Sequence, residues 1–132
     1  MHESPQPTQW RASDEEAVGL CRDWMIYLGA LDATVASTAT RVVCDVYSTR
    51  YLAWVDNKRR NLGIDVVERA ARVSATDGRV PLVFVPGGVF PDAQDLADRL
   101  GVAIFQFDAQ GGELDGANTI GRRLRASGLT AN

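Results

Sequence analysis

The run Val80-Pro81-Leu82-Val83-Phe84-Val85 constrains this chain most, because it presents no polar side chain to either face. A strand that is apolar throughout must be covered on both sides, which is the situation of a sheet sandwiched between helices. Pro86-Gly87-Gly88 stops it. The neighbouring segments supply the cover. Asn61 caps a helix reading to about Thr76, with Ile64, Val66, Val67, Ala70, Ala71 and Val73 as a broad apolar side, ended by Asp77-Gly78. Asp92 to Leu100 places Ala93, Leu96, Ala97 and Leu100 at helical spacing before Gly101, and Val102 to Phe107 reads as a further strand. Strand, helix, strand, helix and strand in that order call for crossover connections, hence a parallel portion of sheet.

Upstream, Ser13-Asp14-Glu15-Glu16 has the form of a capping box, with Ser13 as N-cap and Glu16 reaching back. The helix it opens carries Ala17, Leu20, Cys21, Trp24, Met25 and Leu28 on one side and stops at Gly29. Asp32 to Ser37 reads as a strand and Thr38-Ala39-Thr40 as a turn. Met1 to Ala12 holds His2, Pro5 and Pro7 without apolar period and reads as a mobile leader, and nothing in the sequence requires Trp10 to fold back onto the domain. Asp108 to Gly116 reads as a Gly- and acid-rich loop. A last helix, about Ala117 to Ala126, turns Ile120 and Leu124 inward and Arg122, Arg123 and Arg125 outward. The expected organisation is one α/β domain over residues 13–128, between a leader at 1–12 and a tail at 129–132. Its expected sheet is mixed, with an antiparallel hairpin before the parallel strands and helices on both faces.

The chemistry concentrates in Arg41 to Asn61. Two apolar runs, Val42 to Tyr47 and Leu52 to Val55, flank Ser48-Thr49-Arg50 and read as a hairpin. Asp45 lies on the first strand, and Asp56 and Lys58 end the second. Alternate residues of a strand share a face, so Asp56 and Lys58 point the same way. A two-residue loop at Thr49-Arg50 or at Arg50-Tyr51 sets Asp45 beside Trp54 or Asp56, both on that face. A three-residue loop breaks the parity unless a bulge restores it. Two carboxylates so close repel unless a cation sits between them. Lys58 stands out because the chain has 13 arginines and this single lysine. An ammonium can pass a proton or hold a water as a compact donor, whereas a guanidinium stays charged and is wide. The competing reading is a solvated charge run, Asp56-Asn57-Lys58-Arg59-Arg60.

Composition narrows the alternatives. A chain of 132 residues with 45% apolar and 23% charged residues can bury a core as one domain. The net charge of −3 argues against a broad nucleic-acid-coating surface but leaves room for a local basic rim. Cys21 and Cys44 each sit in apolar sequence, which fits reduced core residues and a cytoplasmic setting. With His2 the only histidine, neither a His-based triad nor a zinc cluster can be assembled. No stretch has the length of a membrane span and no signal-peptide pattern opens the chain. Pro86-Gly87-Gly88 lacks the spacing of a phosphate-binding loop and reads as a turn, and Arg122, Arg123 and Arg125 read as a solvated helix face. Glu113 and Asp115 read as ordinary loop acids. Glu16 reads as a cap that the first helix could bring near the hairpin, and Trp54 as core or patch wall.

An acid on one hairpin strand followed by acid-x-Lys at the end of the next resembles the PD-(D/E)xK nuclease superfamily. The flanks resemble its Mrr-like restriction-endonuclease branch: Leu28-Gly29 closing a helix, then Gly87-Gly88, Phe90, Ala93 to Ala97, Gly101 and the strand Val102 to Phe107. The resemblance spans about Ser13 to Phe107. It implies a restriction-endonuclease-like fold and a metal-dependent DNA endonuclease acting on foreign or modified DNA. A Holliday-junction-resolvase-like nuclease, or a catalytically inactive nuclease fold that binds protein or nucleic acid, are the alternatives. Asp45, Asp56 and the Asn57 carbonyl would bind Mg²⁺ or Mn²⁺, and Lys58 would position or deprotonate the attacking water, with Glu16 as a helper. Arg59, Arg60 and Arg72, by proximity along the chain, would line the DNA side. A homodimer would pair two such sites for double-strand cleavage.

Overall fold

The computed structural model describes residues 3–9 and 11–129. His2 and Trp10 lie outside the described residues. Among the described residues six strands form one sheet in sequential order: β1 (Thr34–Val35), β2 (Val46–Tyr47), β3 (Tyr51–Val55), β4 (Val80–Val85), β5 (Ala103–Asp108) and β6 (Glu113–Gly116). The pairs β1–β2, β2–β3 and β5–β6 are antiparallel, whereas β3–β4 and β4–β5 are parallel. Among the described residues four α-helices flank it: α1 (Asp14–Leu28), α2 (Ile64–Asp77), α3 (Pro91–Leu100) and α4 (Thr119–Ser127). The expected mixed α/β sheet is therefore present.

Strand alternation divides the core in two. Val46, Ala53, Leu82, Phe84, Phe105, Phe107 and Leu114 pack with Val18, Cys21, Trp24 and Met25 of α1. Leu52, Trp54, Val83, Val85 and Ile104 pack with Val67 and Ala70 of α2 and Ala93 and Ala97 of α3 on the other face. Register brings Phe84 beside Phe105, and their rings stack at 5.1 Å. Residues Leu82 to Val85 are buried without exception, as a strand apolar on both faces requires.

Helix ends follow local chemistry. Ser13 Oγ accepts the Glu16 N–H while Glu16 Oε1 accepts the Ser13 N–H, the reciprocal pair expected of the capping box. Gly78 and Gly101 close α2 and α3 at φ of 96° and 77°, a left-handed region that costs glycine nothing. The start of α2 differs from expectation, with Gly63 rather than Asn61 at the N-cap.

Other local expectations are corrected. Val42 and Val43 do not extend the hairpin; Thr40–Val42 is a 3₁₀ turn, and β1 is limited to Thr34–Val35. The Val42 and Val43 carbonyls are instead met by Arg69 Nη2 and Trp54 Nε1, so side chains replace the missing ladder. The stretch read as a loop contains β6, an edge strand with a single buried apolar residue, Leu114. Arg125 turns inward: its Nε donates to Leu114 O, and the guanidinium lies over Trp24 and Tyr27 at 5.6 and 5.9 Å. Leu129, placed in the tail by sequence, is buried and donates its N–H to Leu28 O. Part of the leader is docked as well, since the Thr8 N–H donates to Ala109 O at 2.9 Å.

Two glycines set how α4 lies on the sheet. A Cβ on Gly116 would overlap the Arg122 backbone, and one on Gly121 would overlap Ile104 O. Only residues without side chains permit that approach. Pro86-Gly87-Gly88 has a similar packing reason. A Cβ on Gly87 would come 2.8 Å from Arg60 O, because the chain after β3 runs alongside it and Leu62 pairs with Val89 in an isolated parallel bridge.

Candidate active site

The hairpin turn is fixed from three directions. Ser48 N–H donates to Tyr51 O at 2.9 Å, closing the two-residue loop Thr49-Arg50. Tyr51 N–H donates to Ser48 Oγ, and Arg79 Nη1 donates to Ser48 O. Asp32 Oδ2 accepts both the Thr49 N–H (2.7 Å) and its hydroxyl (2.6 Å). Those two bonds hold the Asp32 carboxyl below the usual carboxylate range, the hydroxyl contributing most. Pairs Val46–Ala53 and Tyr47–Leu52 follow from this loop, which is the Thr49-Arg50 register among those the sequence allowed.

Asp45 then departs from simple alternation. Its N–H donates to Ala53 O at 2.9 Å, although Ala53 is already the ladder partner of Val46. Two residues facing one is the pattern of a β-bulge. The bulge turns the Asp45 carboxylate into the ladder, where Oδ2 accepts the Val55 N–H at 2.7 Å. The carboxylate thus does the work of a strand carbonyl at the peptide unit next to Asp56. Burial pushes the Asp45 carboxyl up, and the Val55 bond and the positive charges of Arg41 and Arg69 offset part of that rise. Parity alone gave no hint of this geometry.

Asp56 leaves the sheet through its own N–H, which donates to Phe84 O at 2.9 Å. Its side chain is half-buried, and Lys58 is exposed two residues later. Among the described residues no hydrogen bond or ion pair joins Asp45, Asp56 and Lys58. The start of β2 and the end of β3 nevertheless fall at the same end of the antiparallel pair, which puts Asp45 and the Asp56–Lys58 turn at one end of those strands. Asn57 anchors that turn, donating from Nδ2 to Ala12 O (3.0 Å) and Asp14 Oδ1 (3.1 Å).

The first turn of α1 reaches the 3₁₀ turn ahead of the hairpin through Glu15 rather than Glu16. Arg41 grips Glu15 with both terminal nitrogens, at 2.8 and 3.0 Å, whereas Glu16 is engaged in its cap. A residue one position along a helix faces a different direction, and capping already orients Glu16 away from that role. Of the expected DNA-side arginines, Arg59 lines the cleft described below, Arg60 is exposed beside Gly87, and Arg72 lies on the exposed side of α2. Trp54 is core, with its indole N–H committed to Val43 O. Cys21 and Cys44 are free and buried.

A cleft of about 480 Å³ opens at the carboxyl ends of β3, β4 and β5, the end at which parallel sheets place ligand sites. Asn57 and Arg59 line it after β3, Pro86 after β4, and Gln106 and Asp108 at the end of β5. Glu113 and Asp115 add acids from β6, and Arg11 comes from the leader.

Could these residues hold a divalent cation? Asp45 keeps Oδ1 outside its ladder bond, and oxygens from Asp45, Asp56 and the Asn57 carbonyl would be donors of the kind that suits Mg²⁺ or Mn²⁺. A carboxylate whose ionised form is penalised by burial also gains from added positive charge. The set fits in chemistry. Among the described residues no group of three or more His, Cys, Asp or Glu side chains is placed to hold a metal ion.

Comparison with protein families, with curated proteins and with solved structures gives no match. No helix among the described residues is long and apolar enough to cross a membrane.

Proposed function

We propose that this domain is a metal-dependent DNA endonuclease of the PD-(D/E)xK type, Mrr-like, hydrolysing phosphodiesters in foreign or modified DNA. The observation that carries the reading is the order helix, three antiparallel strands, helix and parallel strand, with Asp45 and the Asp56–Lys58 turn at one end of the β2–β3 hairpin. In this reading Asp45, Asp56 and the Asn57 carbonyl hold Mg²⁺ or Mn²⁺. The cation supplies Lewis-acid stabilisation of charge building on the phosphoryl oxygens. The Lys58 ammonium positions the attacking water and takes part in moving its proton. Arg59, Arg60 and Arg72 meet the phosphate backbone, and scission leaves a 5′-phosphate. The buried free thiols suit a reducing cytoplasm. A homodimer supplies the second site for double-strand cleavage.

Two observations favour a second reading, a nuclease fold retired from catalysis that binds protein or nucleic acid. The Asp45 carboxylate already serves the ladder at Val55, and Asp108, Glu113 and Asp115 give the neighbouring cleft an acidic wall that repels phosphates. Supercoiled plasmid, methylated and unmethylated, incubated with the protein in Mg²⁺ and Mn²⁺ separates the two. Nicking abolished by Asp56→Ala and Lys58→Ala, with Mn²⁺ binding lost in Asp56→Ala, is the result expected of the nuclease. No nicking and no calorimetric Mn²⁺ binding by the unaltered protein would sink it in favour of the binding module.

A further inference from the structure

The Asp56–Lys58 turn has no secondary structure of its own, and its bound partners come from far away in sequence. Asn57 sits at its centre with a half-buried side chain. One amide nitrogen reaches both Ala12 O and Asp14 Oδ1, at 3.0 and 3.1 Å, across more than forty residues of chain. Ala12 is the last residue before the cap of α1. The same segment has a second anchor on the other side of the cleft. Thr8 donates its N–H to Ala109 O, just beyond β5, and Pro7 packs so closely on Gly112 that a Cβ there would lie 2.9 Å from the proline ring. In the sheet β4 lies between β3 and β5. A segment fixed at Ala109 and at Asn57 therefore crosses the end of β4, and Arg11 and Ala12 form part of the cleft lining there.

We propose that Asn57 is a positioning residue for the Asp56–Lys58 turn, and that its side-chain amide couples this turn to an N-terminal strap, residues 7–9 and 11–12, laid across the cleft. Docking of the strap presents Ala12 O to Asn57 and so fixes the turn that carries Asp56 and Lys58. Release at Thr8 or Pro7 frees one end of the strap and loosens the turn at the other. The cleft and the turn thus open together. Anything that lifts the strap, such as a partner competing for the Ala109–Gly112 turn, acts on the site without touching it. The catalytic consequence rests on the nuclease reading; the coupling does not.

Two full-length variants test it. Asn57→Ala removes the amide but keeps the backbone carbonyl. Thr8→Pro deletes the N–H that holds the far anchor and touches no group of Asn57. Amide hydrogen exchange reads the turn directly. Both variants are expected to speed exchange of the Asp56 N–H, which Phe84 O holds at the head of the turn, by about tenfold, the scale of losing one or two modest hydrogen bonds, while β4 exchanges as before. Turn exchange unchanged in Asn57→Ala removes the positioning role. A response in Asn57→Ala but not in Thr8→Pro removes the coupling. In plasmid nicking, Asn57→Ala is expected to lower kcat with KM unchanged. A KM change alone would overturn positioning of the reacting groups. Exchange that responds as expected in a protein that neither nicks DNA nor binds Mn²⁺ leaves the coupling standing and defeats the nuclease reading alone.

Discussion

Asn118 carries more of the fold than its size suggests, and replacing it gives a demanding test. Its side chain is 1% exposed and makes three hydrogen bonds. Oδ1 accepts the N–H of Ile104 at 2.9 Å and of Gly121 at 2.8 Å, while Nδ2 donates to Val102 O at 2.7 Å. One amide thus caps α4 and ties that cap to the start of β5. Asn118→Ala orphans two buried donors and one buried acceptor. Each costs about 1–3 kcal/mol when no water reaches it. Val102 and Ile104 are fully buried, so relaxation towards solvent is limited. The expected loss is about 3–5 kcal/mol, a large share of the roughly 5–15 kcal/mol a domain has in total. Asn118→Ser separates the two roles, because its hydroxyl can cap Gly121 but is too short to serve β5. It should recover about 1 kcal/mol, the usual worth of an N-cap. Urea unfolding followed by far-UV circular dichroism reads both. With a slope of about 1.5 kcal/mol per molar, the alanine midpoint should fall by about 2–3 M. A loss under about 1 kcal/mol for alanine, or full recovery by serine, would refute the account of Asn118 as the tie between sheet and helix.

Other outcomes follow from the site. In Asp45 burial raises the folded carboxyl above its unfolded value, so ionisation costs more in the native state. That penalty is absent below the unfolded value of about 3.9 and grows as pH rises through the folded one. Asp45→Asn, which keeps an acceptor for Val55, should therefore stabilise the protein at pH 7 but not at pH 3, and abolish Mn²⁺ binding; equal urea midpoints for the two proteins at pH 7 would count against the burial argument. Gly121→Ala should cost about 2–3 kcal/mol or prevent folding, since its methyl group would overlap Ile104 O; a thermal midpoint like that of the unaltered chain would show that α4 can shift freely. Lys58→Arg keeps the positive charge but loses the compact ammonium, so nicking should fall about 100-fold with DNA affinity nearly unchanged. Retained cleavage would reduce Lys58 to a surface charge.

Local signals in the sequence were enough for much of the fold. Ser13 and Glu16 three residues apart announce the start of α1, because a cap is satisfied within one turn of chain. The apolar run at Val80 to Val85 requires a doubly covered strand, and the alanine and leucine spacing before Gly101 requires a helix. Ser48-Thr49-Arg50 marks the hairpin, and two-residue loop chemistry limits its register to a few choices. The concentration of Asp45, Asp56 and Lys58 on that hairpin was equally legible, as a pattern of residue types.

What alternation could not reveal was the direction of each side chain once the regular ladder fails. The bulge at Asp45 turns its carboxylate to Val55, which depends on where Ala53 O lies in the assembled sheet. Strand β6 offers one buried apolar residue, too little for a periodic signal, and exists because β5 presents an edge to pair with. Arg125 turns inward because Leu114 O and the rings of Trp24 and Tyr27 meet there, groups separated by much of the chain. Asn57 gains its partners, and the leader its anchors, only when the ends of β3 and β5 stand two strands apart in one sheet. Short-range chemistry fixes helix ends such as the Ser13 cap, Gly78 and Gly101. Contacts between distant segments exist only after folding, and they decide which polar groups share a site.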